Sequence, residues 1–142
     1  MKTFNVKVKD VKREWYIINA YKKTLGRLST KIVYFLLGKN KVIYNNYLNV
    51  GDNIIIINAA QIKLTGKKLI KKIYYYHTGY PSGLRKIKLL DMIKKNPEKI
   101  IKIAVKGMLP KNSLGRLISK KLKIYKGKQH PHMAQQPLEL LI

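Results

Sequence analysis

The chain of 142 residues has no cysteine. That excludes a disulfide framework and any thiolate metal site, and it fits a reducing compartment. Acids are also scarce, with six Asp or Glu against 31 Lys or Arg and a formal net charge of +25. The six are Asp10, Glu14, Asp52, Asp91, Glu98 and Glu139. They are scattered, and no pair has a spacing suited to general acid–base work. No nucleophile elbow, P-loop or dinucleotide fingerprint occurs, and Gly26-Arg27 offers too few glycines for a dinucleotide loop. The histidines are His77, His130 and His132, and the HPH pair lacks a third local metal ligand. The N-terminal stretch MKTFNVKVKDVKREW lacks the apolar core of a signal peptide. No apolar run approaches the roughly 18 residues of a spanning helix. The sequence therefore nominates no catalytic residue, no metal, no cofactor and no membrane partner. An enzyme of phosphorylated substrates with His77 as base is the competing class, but no nucleophile–base pair accompanies that histidine.

What is present is enough apolar content, 46%, for one core in a single domain over residues 1–142. A compact fold with so one-sided a charge repels itself and is relieved by a polyanion. Abundant Ile, Lys, Asn and Tyr point to a compositional bias that explains Lys in place of Arg. It does not explain the near absence of acids. The stretch Gly107 to Pro137 shows the imbalance best: it holds many Lys and Arg and not one Asp or Glu.

Along the chain, residues 1–14 read as an exposed arm in which alternation of Phe4, Val6 and Val8 permits a short edge strand. Trp15–Ala20 reads as a buried strand. Thr24 is placed to cap a helix whose Leu25, Leu28, Ile32, Phe35 and Leu36 recur at helical spacing until Gly38 stops it. Residues 40–51 are a polar connection. The four isoleucines within Asn53–Ala59 predict a strand covered on both faces. Ile73–His77 reads as a third strand, followed by the irregular TGYPSG loop. Residues 86–95 read as a short helix with Ile87, Leu90 and Ile93 inward. Asn96-Pro97-Glu98 starts another helix, carrying Ile100, Ile101, Ala104 and Met108, which Pro110 breaks. Asn112 or Ser113 caps a last helix with Leu114, Leu117, Ile118 and Leu122 on one face, and Lys123–Tyr125 is a final strand. This order predicts an α/β fold with a small, mainly parallel sheet and helices on both faces. Residues 126–142 read as an extended basic tail, and Lys126–Pro137 as poorly ordered without a partner.

Basic residues cluster at 67–72, 85–88 and 111–128, in or beside loops rich in Gly and Pro. Such loops can follow an irregular phosphate backbone closely. No zinc finger, recognition-helix motif or aromatic RNP pattern occurs. Diffuse basic surface with extended tails suits folded RNA, which is read by shape and backbone. Tyr74, Tyr75 and Tyr76 are ordinary sheet-packing residues or, at a strand end beside His77, Arg85 and Lys86, hydroxyl donors to such a backbone.

AVKGMLPKNSLGRLISKKLKIYKG followed by HPHMAQQP closely resembles the signature region of the bacterial-type large-subunit ribosomal protein thirteen family. WYIINA with TLGRLST, GDNIIIINA, and LTGKKLIKKIYYYHTGYPSG extend the resemblance through nearly the whole chain. Ser82, Met133 and Lys128 depart from the family's usual residues, which touches loop detail only. The resemblance implies a three-layer α/β/α fold with a four-stranded, mainly parallel sheet. It also implies a structural, non-catalytic part in the large ribosomal subunit of the cytoplasm. The Lys-rich composition fits a bacterial endosymbiont or an organelle, and the lack of a transit-like N-terminal stretch leans bacterial. The partners the resemblance implies are large-subunit ribosomal RNA, bound early in assembly, and neighbouring ribosomal proteins. Messenger RNA is a second polyanion that the same surface would serve. Carried onto this chain, the RNA-facing candidates are Lys67, Lys68, Tyr75, His77, Thr78, Gly79, Arg85, Lys106, Lys111, Arg116, Lys120 and His130.

Overall fold

The structure is a computed structural model, and it describes residues 5–141. Its centre is a four-stranded parallel sheet. β1 (Trp15–Asn19) and β2 (Asn53–Ile57) pair along their whole length, from Trp15 opposite Asn53 to Asn19 opposite Ile57. β5 (Leu122–Ile124) pairs with β2, and β6 (Leu138–Glu139) with β1, so the order is β5-β2-β1-β6. The remaining strands, β3 (Ile73–His77) and β4 (Leu84–Lys88), form a separate antiparallel hairpin. The helices are α1 (Leu25–Leu37), a single turn α2 (Lys68–Lys71), α3 (Leu89–Lys95), α4 (Pro97–Met108) and α5 (Ser113–Ser119).

The strand order decides which segment covers which face. Going from β1 to β2 and on to β5 steps one way across the sheet. The return from β5 to β6 steps the other way. Right-handed crossovers therefore put the first two connections on one face and the last on the opposite face. The side chains agree. Ile18, Ile54 and Ile56 point to one face and pack with Leu28, Ile32 and Leu36 of α1, Ile101 and Val105 of α4, and Ile118 of α5. Tyr16, on the same side of β1, has its ring 5.8 Å from Phe35 of α1. Trp15 lies on the other face, and there the His132 ring of the C-terminal segment packs against it, tilted by 33° with 5.4 Å between ring centroids. Ile55, on that face of β2, is fully buried.

The C-terminal segment is thus a layer of the fold. His132 Nε2 and the Tyr125 hydroxyl lie 2.7 Å apart. The Asn58 amide donates to the Gly127 carbonyl (2.9 Å) and the Leu140 amide to the Ile17 carbonyl (2.9 Å). A 3-10 turn at Met133–Gln135 precedes β6. This corrects the expectation of a tail that serves only a partner. The pairing that holds it is nonlocal and leaves no local periodicity.

Other differences have local causes. Residues 86–88, read as the start of a helix, belong instead to strand β4 (Leu84–Lys88), because pairing with β3 satisfies a strand that has no place in the parallel sheet. Helix α3 starts only at Leu89, and it buries Leu89 and Met92 while Leu90 is exposed. Met108 and Leu117 also face outward. Residues 8–10 form a 3-10 turn and residues 5–7 no strand; Phe4 lies outside the described residues. Neither Thr24 nor Asn96 makes a side-chain cap bond, whereas Asn112 Oδ1 accepts the Gly115 amide at 2.7 Å.

Where β2 begins, three basic side chains converge. Asp52, wholly buried, accepts from Lys41 Nζ at 2.5 Å and from the Glu14 amide at 3.0 Å. Lys41 also donates to the Lys12 carbonyl (2.7 Å), which ties the N-terminal arm to the sheet. Lys121 Nζ donates to the Gly51 carbonyl at 2.6 Å. Burial, with Arg13 and Lys41 nearby, lowers the Lys121 ammonium to about 8 despite the opposing pull of Asp52.

Two predictions follow from this packing. The folded chain holds the Lys121 proton less tightly than the unfolded chain, whose lysine titrates near 10.4. Its cost is full below about pH 8 and is relieved above it, so the denaturation midpoint should rise from about pH 8 towards about pH 10. Lys121→Met should flatten that rise. Gly107 and Gly115 both lie in helices, but a Cβ meets nothing within 4 Å at Gly107 and falls 1.8 Å from the Pro110 carbonyl oxygen at Gly115. Gly107→Ala should stabilise by about 0.5–1 kcal/mol. Gly115→Ala should destabilise by about 1–3 kcal/mol, as denaturant titration would read.

Candidate nucleic-acid interface

The structure sorts the twelve candidate residues into three regions. Lys67, Lys68, Tyr75, His77, Thr78, Gly79 and Arg85 lie on α2 and the β3–β4 hairpin. Lys106 is in the last turn of α4, Lys111 in the loop after it, Arg116 on α5 and Lys120 just beyond α5. His130 lies in the C-terminal layer, its ring 6.5 Å from those of Tyr125 and His132. The candidates therefore come from three parts of the fold and not from one element.

The second region is a built groove. Between α4 and β5 runs a hollow of about 870 Å³ lined by Lys99, Lys102, Lys106, Lys120 and Lys123, with Glu98 the one acid in its wall. The α4 helix makes this groove because it is two-faced. Ile100, Ile101 and Val105 are buried, and Lys99, Lys102 and Lys106 recur at i, i+3 and i+7 on the opposite side. β5 is an edge strand of the sheet, which leaves that flank open. Lys99 and Lys102 were missed because a lysine at helical spacing reads equally well as a solvated face, although their phase against the isoleucine stripe was available. Lys123 lies on the three-residue strand β5, and nothing local shows that α4 packs beside it.

A further basic hollow, about 510 Å³, sits where α1 starts. Lys22, Lys23, Arg27 and Lys31 line it with Thr24 and Thr30. The first turn of α1 carries no acid, so cations stand at the positive end of the helix dipole. That arrangement is unfavourable alone and is eased by an anion.

The hairpin is anchored at its base and free at its tip. Tyr74 and Ile87, paired across the strands, pack on the cluster of Leu89, Met92 and Ile100, and burial raises the Tyr74 hydroxyl. Beyond them the tyrosines emerge from the protein. The His77 ring is fixed by its Nδ1, which accepts the Gly79 amide at 2.9 Å. In the neutral ring the proton is then on Nε2, a donor directed away from that bond.

Among the described residues no three His, Asp or Glu side chains come together to hold a metal ion. None of their helices is long and apolar enough to cross a membrane. Chemically, the surfaces offer ammonium and guanidinium donors, exposed phenol rings and open backbone turns. That is equipment for holding polyphosphate and bases.

Comparison with known proteins agrees with this chemistry. A family model described as "Ribosomal protein L13" matches residues 13–131. The chain is 54% identical over 142 residues to the large ribosomal subunit protein uL13 of Dictyoglomus thermophilum, covering the whole of both chains. It is 53% identical to that of Azotobacter vinelandii and 51% to that of Hahella chejuensis, again over the full length of each. The chain belongs to the ribosomal protein L13 family, a family of structural and not enzymatic proteins.

Proposed function

We propose that this chain, acting as a single domain, is a structural constituent of the large ribosomal subunit that binds large-subunit ribosomal RNA and joins the particle early in assembly. The names of its full-length relatives support the first part. The observation that carries RNA binding is the groove between α4 and β5, where five lysines converge. A groove with that charge favours an anionic ligand, and Lys99, Lys102, Lys106 and Lys120 on its walls are exposed. Lys67, Lys68, Tyr75, His77, Thr78, Gly79 and Arg85 form a second contact region in this reading. Lys106, Lys111, Arg116 and Lys120 belong to the groove and its margin, and His130 to a third region. Contacts on separate faces let one protein hold RNA segments that would otherwise repel.

Early joining is supported by the fold's independence of its partner. The core around Ile18, Ile32, Leu36, Ile54 and Ile101 closes on protein contacts alone. Such a protein can be folded before the RNA around it is. Its other partners would be proteins beside it in the cytoplasmic ribosome, and exposed Val42, Tyr47 and Met108 are apolar surface available for them.

Binding to large-subunit ribosomal RNA should weaken steeply between about 50 and 200 mM salt, with log affinity linear in log salt. Lys102→Ala with Lys106→Ala should reduce that slope by about 2. Arg116→Ala, at an exposed guanidinium on α5, should cost about 1–3 kcal/mol of binding. Salt-insensitive binding over that range would refute the proposal.

A further inference from the structure

The apolar surface left exposed by the fold is unevenly spread. From Leu69 to Leu84 it includes Leu69, Ile70, Tyr75, Tyr76, Tyr80 and Leu84, of which Tyr75 is 62% exposed, Tyr80 76% and Leu84 62%. Basic residues are interleaved with them: Lys67, Lys68, Lys71, Lys72, Arg85, Lys86 and Lys88. Asp52 and Asp91 are the nearest acids in sequence on either side.

The register shows how these groups share the hairpin. Tyr75 is opposite Lys86 and His77 opposite Leu84 on one face, while Tyr76 is opposite Arg85 on the other. Each emergent tyrosine of the strands thus has a cation across from it. A two-stranded hairpin is marginal by itself in water. This one packs on the core through Tyr74 and Ile87, and past them Tyr75, Tyr76, His77, Leu84, Arg85 and Lys86 are all exposed.

The tip is nevertheless braced from within. The Thr78 amide donates to the Gly83 carbonyl (3.1 Å) and the Gly83 amide to the Tyr80 carbonyl (2.9 Å). Gly83 has no room for a side chain, since a Cβ would lie 2.2 Å from Thr78 Oγ1 and 2.6 Å from the Tyr80 carbonyl oxygen. The loop therefore holds Tyr80 outward in a set backbone shape, and little ordering is left to be done on binding.

We infer that the β3–β4 hairpin is a stacking arm for unpaired RNA, in which Tyr75, Tyr76 and Tyr80 take bases on their rings while Arg85 and Lys86 hold the adjoining phosphates. This rests on the reading that the chain binds RNA and adds which form of RNA the hairpin takes. Base faces are available only where a strand is splayed or single, because a duplex keeps them stacked inside. A duplex backbone would be served by cations alone and gives no reason to expose three phenol rings. A protein partner would find the apolar rings useful, but not cations paired across from them without compensating acids. Alternation of rings and cations matches a single strand, with π-faces for its bases and positive charge for its backbone.

The test uses the full chain and two fluorescent probes, a 12-nucleotide unstructured pyrimidine RNA and a 12-base-pair RNA duplex, compared by anisotropy titration at fixed salt. The expected result is that Tyr75→Ala with Tyr80→Ala lowers the single-strand-to-duplex affinity ratio by about tenfold. Tyr75→Phe with Tyr80→Phe should keep the ratio, since the ring is what stacks. No charge is removed, so the salt slope should stay as it was. Circular dichroism checks that the exposed substitutions leave the fold intact. Equal losses on both probes, or an unchanged ratio, would overturn the stacking arm while leaving RNA binding in place. Failure of the unsubstituted chain to bind either probe or ribosomal RNA would overturn both readings.

Discussion

Electrostatic self-repulsion is the constraint to which the rest of this structure answers. With 31 basic residues and six acidic ones, every close approach of two segments brings cations together. The fold copes by keeping cations out of its core and by burying an acid where Arg13, Lys41 and Lys121 come together. Asp52 sits at the mouth of β2, where Lys41 reaches it directly and Lys121 lies at the neighbouring Gly51 carbonyl. A buried carboxylate without such partners would be costly, and here Asp52 Oδ1 takes both the Lys41 ammonium and the Glu14 amide. The same junction holds the arm, through Lys12 and Glu14. One charge thus fixes three chain segments at the start of the central strand.

The remaining cations are sorted by topology. Parallel strands stepping β1, β2, β5 place α1, α4 and α5 on one face, and the return to β6 carries the C-terminal segment across the other. α1 and α4 bury apolar stripes against the sheet and present their cations outward. Because β5 is an edge, the outward face of α4 and the strand's own Lys123 meet in an open groove. The hairpin, excluded from the parallel sheet, projects as a separate piece. A self-sufficient core with cationic faces in several directions is what a protein needs if it is to be surrounded by RNA.

The central elements were legible in the sequence for physical reasons. A pure isoleucine run can only be buried on both sides, and a clear 3.6-residue stripe fixes α1 and α4. The GMLP break and the Asn112 cap follow from the chemistry of Pro and Asn. What escaped reading depended on distant pairing. Leu84–Lys88 has three basic residues in five and became a strand only because β3 lay opposite. Leu138–Glu139 is two residues long and is recognisable only beside Tyr16 and Ile17. His132 reads as a tail residue until Trp15 is placed beneath it. The candidate interface was legible as charge but not as shape: Lys106 and Lys120, distant in sequence, share a groove with Lys99, Lys102 and Lys123 because α4 packs beside β5.

The central claim is that this surface exists to be covered by the RNA of the large subunit. The most direct measurement is sucrose-gradient sedimentation of cell extract, following the chain through high-salt washes of the ribosomal particles. The account predicts that the protein travels with the large subunit and its precursors, with little in the free fraction. A chain found mainly as free protein, with large subunits lacking it, would contradict the account.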